Sequence, residues 1–146
     1  MWSPTVLTLS AKPSFEQDPL KPLRFPYFWL AGGLVLVILV LNFSLMPGFG
    51  RDIGMTDKVA HFLVFLVLMV WFCGVFRGRV TPWVALGLLA FGILIEILQS
   101  RLPYRSAELY DAFADVGGIL LGWGVAAVGL GQWTALVESW LPAKSS

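Results

Sequence analysis

Two short segments hold most of the side chains in this chain that could do chemistry. One is Asp57-Lys58-x-x-His61. The other runs from Glu96 through Gln99, Arg105 and Asp111 to Asp115. Together they offer carboxylates, an amide, three cations (Lys58, Arg101 and Arg105) and the only imidazole in the sequence. An imidazole titrates near neutrality, so His61 could serve as a general base or nucleophile oriented by Asp57 or Asp111. Lys58 and Arg105 would then hold an anionic head group or phosphate. The same residues also describe a binding pocket without turnover, or a knot of ion pairs that ties helix ends together. His-x-x-x-His and paired Glu-x-x-His patterns are absent, and Lys58 and Arg105 supply positive charge where a metal would bring its own. Neither a metal nor a cofactor is therefore expected. Gly-x-Ser-x-Gly, a phosphate loop and a second histidine are absent as well, which leaves the choice between enzyme and binding protein open.

The elements that must position these residues are apolar. Of 146 residues 58% are hydrophobic, with seven Trp, and a crossing helix needs roughly 20 mostly apolar residues. Four such runs can be marked, at about 26–46, 59–77, 82–99 and 110–130. This predicts an all-α fold, a four-helix transmembrane bundle in a lipid bilayer. At 3.6 residues per turn Asp57 and His61 share a face with Val64, Leu68 and Trp71, and Ala85, Leu89, Gly92, Glu96 and Gln99 share another. Asp111, Ala114, Asp115, Gly118, Gly122 and Ala126 fall within about 60° of one direction on the last run. Small residues at this spacing let helices approach closely in lipid, so that face should meet the rest of the bundle and carry both acids inward. The turn at Arg77-Gly78-Arg79, with Pro82 at a tolerated first-turn position, makes the second and third runs antiparallel neighbours.

Residues 1–25 read as a poorly ordered cytoplasmic tail, 26–130 as the membrane domain and 131–146 as an amphipathic segment. In that last segment Trp133, Leu136, Val137, Trp140 and Leu141 repeat at helical spacing, with Glu138 on the flank. It either extends the fourth helix or lies in the membrane interface. Basic residues set orientation. With the N-terminus inside, Lys12, Lys21, Arg24, Arg77, Arg79 and Lys144 are cytoplasmic, against Arg51, Lys58, Arg101 and Arg105 outside. That majority favours both termini in the cytoplasm and puts the whole constellation at the outer face. A net charge of +1 with no basic stripe excludes a nucleic-acid partner. Cys73, the single cysteine, reads as a packing or lipid-facing residue.

The pattern Asp57-Lys58-x-x-His61-Phe62, Glu96-x-x-Gln99, Arg105, Asp111 and Gly118-x-x-x-Gly122 resembles the VanZ-like family of small membrane proteins over about residues 40–130. The resemblance implies a four-helix domain in a bacterial inner membrane, and its name carries an association with resistance to the glycopeptide teicoplanin. With the orientation set by the basic residues, the constellation reads as a pocket at the outer face, formed by Asp57, Lys58, His61, Glu96, Gln99, Arg105, Asp111 and Asp115. Its ligand would be an envelope lipid, an anionic lipid among them, a glycopeptide or a cell-wall precursor. The alternatives are a small membrane enzyme acting on a lipid head group through His61, or a structural subunit of a membrane complex. Family members commonly carry Asn where Asp115 stands, so this chain adds an acid to the cluster.

Overall fold

A computed structural model describes residues 20–47, 54–76, 78–104 and 109–142. Arg105, placed in the constellation by its sequence position, lies outside the described residues, as do Lys12, Arg51, Arg77 and Lys144. The described residues form helices and no β-strand: α1 (Pro26–Leu45), α2 (Gly54–Val75), α3 (Thr81–Gln99), α4 (Leu109–Ala127) and a short α5 (Trp133–Trp140). Each of the first four contains or forms an apolar span long enough to cross a bilayer. Their ends follow local chemistry. Pro26 opens α1, Pro82 lies in the first turn of α3, and α1 gives way to extended backbone at Met46, ahead of Pro47.

The central contact is between α2 and α4, which run parallel. Gly118 lies against the carbonyl oxygen of Phe62, and a Cβ at Gly122 would stand 2.7 Å from the carbonyl oxygen of Leu66. The small-residue face is therefore where two backbones meet, as the spacing predicts. Asp111, Asp115, Gly118, Gly122 and Ala126 are buried. Phe65, Leu68, Met69, Leu88, Ile95 and Ile119 fill the core beside this seam. On α3 the buried residues include Leu88, Gly92, Ile95 and Gln99, while Ala85, Leu89 and Glu96 are half-buried. The inward face is turned toward the larger aliphatics because they, rather than alanine, fill the space against α2 and α4.

Away from the charged end, three tryptophans clamp α1, α2 and α5. Trp133 meets Trp29 edge to face with ring centroids 5.1 Å apart and Trp71 at a tilt with centroids 4.8 Å apart, and its indole N–H donates to the carbonyl of Val70. Gly129 takes φ 137°, a left-handed conformation open to glycine. There the chain leaves α4 and doubles back, so α5 packs on α2 rather than prolonging α4. The Thr134 hydroxyl donates to the Gly74 carbonyl at 2.6 Å, while Leu136, Trp140 and Leu141 remain exposed. Glu138 accepts from the backbone N–H groups of Arg24 and Phe25 and from the Trp29 indole. A carboxylate at this position also complements the positive end of the α1 dipole. Residues 20–25 are held by this contact and by Lys21, whose ammonium donates to the carbonyls of Cys73 and Gly131. Burial pushes that ammonium below its ordinary pKa.

Candidate functional site

The ends of α1 and α3 and the beginnings of α2 and α4 meet at one end of the bundle. The side-chain amide of Gln99 donates to the carbonyl of Ser44, and the Tyr104 hydroxyl donates to that of Leu45. These bonds join the loop side of α3 to the last turn of α1. Gln99, expected as a ligand-binding residue, is thus buried as a brace between two helices. Asp57 and Asp111 each occupy the first turn of their helix, where the helix dipole stabilises a carboxylate.

Because α2 and α4 run parallel, their residues pair in steps. Lys58 Nζ stands 3.8 Å from Asp111 Oδ1. One turn deeper, His61 Nδ1 lies 3.0 Å from Asp115 Oδ1. His61 is 8% exposed, Asp111 2% and Asp115 1%. The carboxylate hydrogen-bonded to His61 is therefore that of Asp115, not Asp57 or Asp111 as the sequence suggests. Asp111 sits one turn too shallow, opposite Lys58, and Asp57 shares a helix with the imidazole. In the neutral ring, a carboxylate on Nδ1 makes that nitrogen the donor and Nε2 the acceptor. The second oxygen of Asp115 has no hydrogen-bond partner among the described residues and packs against Gly92 of α3, where a side chain would collide with it. Gly92, Asp115 and His61 thus form a positioning chain across three helices. The sequence points to Gly92 only as a small residue on the face of Glu96.

Asp57, His61 and Asp111 each present a donor atom within 4.8 Å of the others. Asp57 and His61 also line a cavity of about 200 Å³ between α1, α2 and α3. The rest of its wall is greasy: Leu36, Leu39, Val40 and Phe43 from α1, Val64 and Phe65 from α2 and Ile95 from α3, with Ser44 near the polar end. The α1 residues of this wall carry no chemistry-bearing motif, so spacing arguments on the polar residues miss them. Glu96 is half-buried on α3. Of the expected site residues, the structure brings Asp57, Lys58, His61, Asp111 and Asp115 together and gives Gln99 a bracing position.

Four apolar spanning helices with ionisable groups gathered at one end define a small multi-pass membrane protein. The chain belongs to the VanZ/LLP1 family, whose profile matches residues 10–130. It is also similar to an uncharacterized protein of Schizosaccharomyces pombe, 37% identical over 94 residues, which cover 60% of this chain and 58% of that protein. The chain thus spans little more than half the length of that curated relative. No solved structure matches it.

Proposed function

We propose that this protein binds a membrane amphiphile, with the polar head at Asp57, Lys58, His61 and Asp111 and the apolar part in the cavity beneath α1. The observation that carries this reading is the make-up of the cavity wall: Asp57 and His61 at one end, Leu36, Leu39, Val40 and Phe43 along one side. An ion-pair knot would need no such space. Intramembrane ionisable groups are costly unless paired or used, which also favours a functional pocket. The ligand class is an envelope lipid or a lipid-linked cell-wall precursor, and a glycopeptide seated at the same mouth would connect with the family's name. The membrane is the cytoplasmic membrane of a bacterium, with both termini in the cytoplasm and the pocket opening outward. This topology rests on the Lys/Arg distribution.

A second reading draws on the His61–Asp115 hydrogen bond. An imidazole held by a buried carboxylate is arranged to accept a proton at Nε2, which fits an enzyme acting on a lipid head group. Native mass spectrometry of gently extracted protein tests the binding reading. Wild type should retain a lipid-sized adduct that Leu39→Trp, which fills the cavity from a partly lipid-facing position, expels without loss of fold. An equal adduct population in the two proteins would contradict it. Release of a labelled head group by wild type but not by a His61→Gln variant would establish the second reading.

A further inference from the structure

Asp57, His61 and Asp111 form a mixed donor set. Their ligand-type atoms all lie within 4.8 Å of one another, His61 and Asp111 are buried, and Asp57 is half-buried. Asp57 and His61 stand at i and i+4 on α2, the spacing that points two ligands at one ion from a single helix turn. Asp111 faces them from the parallel helix. No sequence motif announces this set because its members come from two helices 50 positions apart. Asp115, a fourth residue outside the donor set, bonds the imidazole at Nδ1. That is the usual support of a metal-bound histidine, a carboxylate on the far nitrogen that fixes the tautomer and raises ligand basicity. Gly92 in turn leaves room for Asp115 to sit there. The cavity lined by Asp57 and His61 supplies space for a ligand that the protein does not provide.

We infer that Asp57, His61 and Asp111 bind one divalent transition-metal ion, through His61 Nε2 and a carboxylate oxygen of each aspartate, with an open coordination position facing the cavity. One imidazole and two carboxylates suit a borderline ion such as Zn²⁺ better than Ca²⁺ or Mg²⁺, which favour oxygen throughout. Three protein ligands with a fourth position open is the arrangement of sites where a zinc ion meets water or a substrate. Tetrahedral zinc ligands stand roughly 3.4 Å apart, given bonds near 2.1 Å, so the side chains must draw together from the present 4.8 Å spread to close the set. Lys58, 3.8 Å from Asp111 and 34% exposed at its side chain, is the cation that the metal would compete with. A bound ion would also let this carboxylate-rich mouth accept an anionic head group. The inference itself rests on the donor set and does not depend on the amphiphile reading.

The test uses the single histidine of the chain. Tag-free, chelator-treated protein with ¹⁵N-labelled imidazole, in detergent micelles, is titrated with Zn²⁺ alone. The Nε2 resonance should shift and saturate at one equivalent per chain, while Nδ1 keeps its proton. Asp57→Asn and Asp111→Asn should each weaken binding at least about tenfold, and Asp115→Asn, which keeps an acceptor for Nδ1–H but removes its charge, by about tenfold. Lys58→Met should tighten it. Absence of a saturable Nε2 shift in wild type overturns the proposal whatever the variants do. An unchanged affinity in well-folded Asp57→Asn and Asp111→Asn, showing that the imidazole acts alone, overturns it as well. Lipid retention is a separate readout, so the amphiphile reading stands or falls apart from this result.

Discussion

His61 Nδ1 and Asp115 Oδ1 lie 3.0 Å apart although 54 positions separate the two residues in sequence. The contact joins α2 to α4 in a nearly water-free place and ties the Nδ1 side of the imidazole to α4. Breaking one partner should therefore cost more than removing both. His61→Ala leaves a buried carboxylate, and Asp115→Leu leaves a buried N–H, each an unsatisfied group costing about 1–3 kcal/mol. The double variant should recover about 0.5–3 kcal/mol through coupling. Thermal unfolding in detergent across the four proteins measures this, and additivity would show that the pair does not act as a unit.

Gly118 allows two helix backbones to touch, whereas Leu121, on the outward side of the same helix, is 48% exposed. Gly118→Leu should destabilise by about 1–3 kcal/mol or more, as overpacking does. Leu121→Ala should stay within about 0.5 kcal/mol of wild type. Equal melting temperatures would place the small-residue face toward lipid.

Glu138 gives a pH prediction at the opposite end. Burial pushes its carboxyl upward, but hydrogen bonds from Arg24, Trp29 and Phe25 and the Arg24 charge outweigh that and hold it below the ordinary carboxylate value. A folded-state pKa below the unfolded one gives stability that is complete above the ordinary carboxylate range, near about pH 4.3. It is lost as pH falls through the depressed value. Between pH 6 and pH 3 the wild-type melting temperature should therefore fall further than that of Glu138→Ala, followed through tryptophan emission. Parallel decline of the two would remove Glu138 from the clamp.

The helices and the inward face of α4 were legible because apolar length and small-residue spacing speak through composition and period alone. Gly118 and Gly122 are buried where the period puts them. The pairing of His61 with Asp115 was not legible, since it depends on α2 and α4 running parallel in a register that neither helix encodes alone. The Trp29, Trp71 and Trp133 cluster and the Glu138 contact with the start of α1 were hidden for the same reason. The turn at Gly129 aims α5 back at α2, and a helical repeat of apolar residues does not say which way its helix turns. The greasy α1 wall of the cavity was invisible because Leu36, Leu39 and Val40 look in sequence like any other residues of a crossing helix.

Both termini should be cytoplasmic if the basic residues set orientation. Fusions of a periplasm-active and a cytoplasm-active reporter after Ser146 decide this. Periplasmic activity at that junction would turn the charged mouth toward the cytoplasm.

The amphiphile pocket is tested most directly by photo-crosslinking in native membranes, with a photoreactive amino acid replacing Val40 in the cavity wall or Leu120 on the exposed side of α4. Mass spectrometry of the adducts then compares the two positions. The expected result is one lipid or lipid-linked class strongly enriched at position 40, with bulk membrane lipids at position 120. The same lipid mixture at both positions would contradict a ligand pocket beneath α1.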